Sequence, residues 1–257
     1  MFDILYLANN RPEFTAASLE ALVANTDWNL VGKLIIYFDY PQEAKDGFLG
    51  IMMCLSMNGL PPQTHHGQST EIVFSSFGGP VGVMLDFLER TKNHTSEYFI
   101  KIDNDFVVPP GWLGAVNSIL AYQDWDLLGL EARHGEESSK HSRHAIRVTK
   151  DRSTTRADFI GGVGAMRYAV FERFPDLKAH EKYFGFGIWQ GKHMEVSKAW
   201  IDPPLRCFLL DHLPFEPWKS ISEEYTKAGI QRRQWGYYGE EHSKLWSWWE
   251  PRWKEKM

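Results

Sequence analysis

Two carboxylates one residue apart, Asp103 and Asp105, close the run Tyr98-Phe99-Ile100-Lys101-Ile102, and the proline pair Pro109-Pro110 follows them. A strand that delivers both acids at its end would present hard oxygen ligands to a divalent cation, or to a diphosphate that carries one. An Asp-x-Asp triplet taken alone also describes a solvated turn. The elements that position it therefore decide between the two.

Those elements alternate. Asp3–Leu7 is a β-rich apolar run ending at Asn9-Asn10-Arg11-Pro12, where Pro12 suits the first turn of a helix and Leu19, Leu22 and Val23 recur at helical spacing. Lys33–Phe38 is a second strand and ends in Asp39; residues 45–57 read as a helix stopped by Gly59-Leu60-Pro61-Pro62. Glu71–Ser75 is a third strand, and Gly78-Gly79-Pro80 opens a helix with Met84, Phe87 and Leu88 on one face. Tyr98–Ile102 is the fourth, Trp112–Ala121 is helical, and Asp126–Leu130 is a fifth strand. This order predicts an α/β fold with a mainly parallel sheet flanked by helices, whose ligands sit beyond the C-terminal strand ends. Asn10, Arg11, Asp39, Gly78, Asp103 and Asp105 then share one edge. A second triplet, Asp124-Trp125-Asp126, precedes its strand and belongs at the opposite edge.

The chain has 257 residues, 43% of them apolar, enough for a sizeable core. One domain over 1–214 is expected, in two halves, 1–131 and 132–214, which the family resemblance given below implies bind nucleotide sugar and acceptor respectively, with an aromatic-rich helical extension over 215–257. A net charge of −5 argues against a protein that coats nucleic acid with its whole surface. Two isolated cysteines, Cys54 and Cys207, read as core residues in a reducing compartment. Neither a signal peptide nor a membrane-crossing apolar run is visible, so a cytoplasmic location is expected.

From about Asp3 to His212 the chain resembles nucleotide-sugar glycosyltransferases of the GT-A (Rossmann-like) fold, most closely the broad family-two group. The likeness rests on the order Ala8-Asn9-Asn10-Arg11-Pro12, Asp39, Gly78-Gly79, Asp103-Asn104-Asp105 and Phe159-Ile160-Gly161-Gly162. It implies that Asp105 ligates Mn²⁺ or Mg²⁺, that Asp103 contacts the metal or the ribose, and that Asn10, Arg11 and Asp39 hold the nucleoside. It also implies a late histidine, His212, completing the metal site. Gly161-Gly162, ahead of an amphipathic helix with Met166, Val170 and Phe171, would let donor and acceptor approach the backbone. The acid pair that inverting members carry is missing from Tyr183–Gln190. A base would come from Glu181, Glu195 or Asp158, unless the enzyme retains configuration and needs none.

Residues 133–156 read as a long polar loop. They hold seven basic residues (Arg133, Lys140, Arg143, Arg147, Lys150, Arg152, Arg156) against three acids (Glu136, Glu137, Asp151), a net of +4 that leaves −9 for the rest. Such a segment suits a polyanionic acceptor such as DNA with a hydroxylated base, or the donor diphosphate, or a solvated loop with no partner. The tryptophans of the tail, Trp235, Trp246, Trp248, Trp249 and Trp253, suit packing or stacking. The expected activity is transfer of a sugar from a nucleotide donor, a uridine diphosphate sugar, to a hydroxyl of modified DNA, a glycan or a protein. Nucleotidyl transfer and carbohydrate binding without turnover are the rivals.

Overall fold

Residues 1–8, 12–39, 70–75, 80–93, 95–104, 106–121, 125–130, 142–149, 152–157, 163–172, 207–210 and 219–220 are described by the structure, a computed structural model. Strand β1 (Phe2–Ala8) is buried along its whole length, as a central strand covered on both faces must be. Helix α1 (Pro12–Asn25) opens on the predicted proline. Strands β2 (Val31–Asp39) and β3 (Glu71–Ser75), helix α2 (Pro80–Thr91) and strand β4 (Tyr98–Asp103) follow. The chain continues through β5 (Phe106–Val107), α3 (Trp112–Leu120), β6 (Leu127–Gly129), β7 (Ser142–Thr149), β8 (Arg152–Ala157), β9 (Gly164–Arg167), α4 (Tyr168–Glu172), β10 (Cys207–Leu210) and β11 (Lys219–Ser220).

One sheet runs in the order β3-β2-β1-β4-β9-β6-β10-β8-β7, and β11 pairs separately with β5. All strands of the large sheet point the same way except β8 and β9, which pair antiparallel with their neighbours. The chain travels outward from β1 to β2 and β3, then returns to lay β4 on the other side of β1. That reversal opens a crevice at the C-terminal ends of β1 and β4, where ligands of such sheets bind.

Period-two alternation divides the core between the two faces. Phe2, Ile4 and Tyr6 of β1 pack with Leu19 and Leu22 of α1 and with Trp112, Val116 and Ile119 of α3. Leu5 and Leu7 pack on the other face with Val83, Met84 and Phe87 of α2 and with Val170 and Phe171 of α4. Burying each such side chain contributes about 1.5–3 kcal/mol. The result is a three-layer α/β/α arrangement.

Three expectations need correction. Residues 142–149 and 152–157 of the supposed loop are paired strands extending the sheet to its edge, with only Lys150 and Asp151 between the partners Thr149 and Arg152. The many charges hid a hairpin. Met166 lies in a strand rather than a helix: Val163 and Ala165 face one core and Met166 the other, and helix begins only at Tyr168. The described part of the C-terminal extension, Lys219–Ser220, is strand, because it supplies the antiparallel partner that β5 requires. The remaining extension, residues 45–57 and Cys54 lie outside the described residues.

Asp126, the described acid of the second triplet, lies where expected, and Asp124 lies outside the described residues. Asp126 precedes β6 at the far edge, and its carbonyl accepts from the Arg167 amide at 2.9 Å. On that same edge Asp3 is fully buried and accepts from Ser96 Oγ at 3.1 Å and from the Tyr168 hydroxyl at 2.8 Å. Among the described residues no helix is long and apolar enough to cross a membrane.

Candidate active site at the end of strand β4

Asp103 ends β4 level with Leu7 of β1, and Leu7 is level with Tyr37 of β2. The Asp103 carboxylate therefore sits on the strand end beside the β1–β4 crevice, with its side chain 29% exposed. Asp39 ends β2, two strand spacings across and two residues farther along, a Cα offset of roughly 12 Å.

The residue after Asp103 is fixed rather than presented. Asn104 is 2% exposed; its amide donates to the Leu7 carbonyl at 3.1 Å and its Nδ2 donates to Thr15 Oγ1 at 2.8 Å. Farther along, Ser18 Oγ donates to the Phe106 carbonyl at 2.5 Å and Asn25 Nδ2 to the Val108 carbonyl at 2.7 Å. Thr15, Ser18 and Asn25 stand three and seven residues apart, so one stripe of α1 grips residues 104, 106 and 108 after the acid. The helix end is tied in as well, since Trp112 Nε1 donates to Thr26 Oγ1 at 3.1 Å.

The proline pair now has a local explanation. It leads into Gly111, whose φ of 73° is a left-handed conformation that a side chain would oppose, and the Gly111 carbonyl accepts the first bond of α3 from the Ala115 amide at 3.1 Å. The chain thus turns sharply from β5 into the helix.

Lys101 adds a charge that the sequence reading passed over. It is 4% exposed, two residues before Asp103 on the same face, and its ammonium forms an ion pair with Asp103 Oδ1. The positions level with it on β9 and then β6, Gly164 and Gly129, carry no side chain. A carboxylate already engaged by an ammonium is a poor ligand for a divalent cation, which would have to approach a like charge. The described half of the acid pair does not fit a metal bridged by both acids. Among the described residues no group of three His, Cys, Asp or Glu gathers as a metal centre.

Of the other predicted site residues, Asp39 is placed by its backbone at the shared edge. Asn10, Arg11, Gly78, Gly79, Asp105, Asp158, Gly161, Gly162, Glu181, Glu195 and His212 lie outside the described residues. Sequence reasoning missed Thr15, Ser18, Asn25 and Lys101. The signals were present: polar residues at helical spacing beside Leu19 and Leu22, and one lysine in an apolar strand, in phase with the acid.

No family model and no curated protein matches the chain. Solved structures do. TarS of S. aureus, residues 1–349, superposes with a TM-score of 0.51 at 14% identity, covering 95% of this chain and 68% of that one. The same protein in complex with UDP gives 0.52 at 15% identity over 95% and 68% of the two chains. A mannose-1-phosphate geranyltransferase from Thermus thermophilus gives 0.50 at 13% identity, over 90% and 79%. At such identities the likeness is one of fold. It agrees with the Rossmann-like α/β architecture described above.

Proposed function

We propose that this chain is a glycosyltransferase that moves a sugar from a nucleotide-sugar donor, a uridine diphosphate sugar, to an acceptor hydroxyl. The observation that carries this reading is Asp103 at the end of β4, beside β1 where the strand order reverses, with the next residue, Asn104, tied to α1. It is supported by a fold shared with a protein whose structures hold UDP and UDP-GlcNAc.

In this scheme Asn10, Arg11 and Asp39 hold the nucleoside, Gly78 and Gly79 admit it to the edge, and Gly161 and Gly162 leave room for the sugar. The acceptor oxygen attacks the anomeric carbon, the bond to the phosphate oxygen breaks, and the hydroxyl proton passes to a base, for which Glu181 is the candidate if configuration inverts. A Mn²⁺ or Mg²⁺ ion held by Asp105 and His212 would supply positive charge to the leaving diphosphate. The acceptor that the basic segment 133–156 favours is DNA with a hydroxymethylated base; a glycan or protein hydroxyl is the alternative. The proposed location is the cytoplasm.

Incubation with single nucleotide sugars and Mn²⁺, with and without hydroxymethylated DNA, tests the scheme. Nucleoside diphosphate release that depends on acceptor and is lost in Asp105→Asn supports it. Release of pyrophosphate from a nucleoside triphosphate and a sugar phosphate would instead identify a nucleotidyltransferase, and no turnover of either kind a binding protein.

A further inference from the structure

We infer that the hairpin β7–β8 is an anchoring strip for the phosphodiester backbone of a DNA acceptor, which it holds about seven nucleotide steps from the base that receives the sugar, and that it makes no contact with the donor diphosphate. The inference deepens the proposed function and rests on it only for placing sugar transfer at the end of β4.

Charge, register and spacing carry it. Strands β7 and β8 hold four arginines, Arg143, Arg147, Arg152 and Arg156, and no acidic residue, in a chain with 33 acids against 28 Lys and Arg. Neither strand can supply a counter-charge to the other, and a polyanion can supply it to both. Lys101 of β4, Gly164 of β9, Gly129 of β6, Leu209 of β10, Thr155 of β8 and Ala145 of β7 are successive partners in one row across the sheet. Asp103 and Arg147 each stand two residues beyond that row on strands that point the same way, so they are level at the ligand edge and share one face. Five strand spacings separate them, roughly 24 Å. That span is too wide for one diphosphate to bridge, which removes the donor as the hairpin's ligand. In a nucleic acid it corresponds to about seven steps at ~3.4 Å per nucleotide. The pairs Arg143/Arg147 and Arg152/Arg156 are each four residues apart. A strand rises about as much per residue as a nucleic acid does per nucleotide, so each pair spans about four steps of a phosphate chain. Guanidinium forks suit phosphate oxygens in particular.

The test is binding of the full-length protein to a fluorescein-labelled single-stranded DNA of about 24 nucleotides, followed by anisotropy from about 50 to 200 mM salt. Each phosphate contact adds about 0.7 to the slope of log affinity against log salt. Arg143→Gln/Arg147→Gln/Arg152→Gln/Arg156→Gln is expected to lower that slope by about 3 and to weaken binding by about tenfold or more. The corresponding fourfold lysine variant should keep the slope, and Lys92→Gln on α2 should leave it unchanged. In turnover, the glutamine variant should raise the KM for hydroxymethylated DNA by about tenfold with kcat and the donor KM unchanged. Absence of DNA binding at about 50 mM salt, a slope indifferent to the glutamine substitutions, or a raised donor KM overturns the inference. Should the fourfold variant not fold, Arg147→Gln alone decides, with an expected loss of about 0.7 in slope. The predicted DNA binding without any sugar-nucleotide turnover would leave the hairpin's role standing and remove the glycosyltransferase reading. Turnover on another acceptor with no DNA binding would do the reverse.

Discussion

The carboxamide of Asn104 donates to the hydroxyl of Thr15 at 2.8 Å, and this bond joins the residue between the two candidate acids to the helix that follows the first strand. Both residues are buried. Replacing Thr15 by valine keeps the shape and removes the acceptor, which leaves a buried amide donor short of its partner at a cost of about 1–3 kcal/mol. Thr15→Val should therefore lower the melting temperature. It should also raise the KM for the donor of the proposed reaction, because the strand end carrying Asp103 is held by one bond fewer. A double-mutant cycle with Asn104→Ala checks the coupling, with an interaction energy of about 0.5 kcal/mol or more expected.

Asp103 should matter to stability as well as to chemistry. Its removal takes a negative partner from the ammonium of Lys101, which is 4% exposed. Breaking a fully buried pair costs about 3–5 kcal/mol; with the Asp103 side chain 29% exposed the expected loss in Asp103→Ala is about 1–3 kcal/mol. Urea denaturation measures it. Lys101→Met/Asp103→Ala should recover part of that loss, since the buried ammonium is removed along with its partner.

The strands nearest the candidate site were legible because their signal is local. Glu71–Ser75 was bounded correctly, and Tyr98 opens β4 as predicted, because continuous apolar runs bounded by turn residues leave little choice. What the sequence concealed depends on partners distant in the chain. Strand β9 is strand because β4 and β6 both offer it an edge, although Met166 and Val170 are spaced as in a helix. The hairpin β7–β8 carries mostly polar residues, so hydrophobic alternation was too weak to reveal it. At the candidate site the acid was readable from its place after an apolar run. The grip of Thr15, Ser18 and Asn25 was not, because their partners at 104, 106 and 108 lie more than 80 residues away.

Two buried phenols, Tyr37 and Tyr168, should contribute to the alkaline limb of stability. Burial, with a hydrogen bond to Asp86, raises Tyr37 far above its ordinary pKa of 10.0, and burial together with the charge of Asp3 does the same for Tyr168. Each stays neutral in the folded chain while its unfolded counterpart ionises. The stability tied to these groups is fully present below pH 10 and declines above it, by about 1.4 kcal/mol per pH unit for each phenol. Tyrosine absorbance at 295 nm should show both ionising only as the protein unfolds. Tyr37→Phe should flatten the decline by one phenol's share; an unchanged slope would refute the assignment.

Gly32 supplies the sharpest steric prediction. A Cβ at this position would lie 2.7 Å from Asp3 Oδ1 and 2.8 Å from Ser96 Oγ. Neither atom can yield easily: Asp3 is fully buried and held by Ser96 at 3.1 Å and Tyr168 at 2.8 Å. Gly32→Ala should therefore destabilise by about 1–3 kcal/mol, the range for forcing extra volume into a packed site. Removing the serine oxygen clears one of the two contacts, so Gly32→Ala/Ser96→Ala should be more stable than the sum of its single substitutions, by about 0.5 kcal/mol or more. Urea denaturation of the four proteins measures this coupling, and strict additivity would show that the methyl group finds space elsewhere.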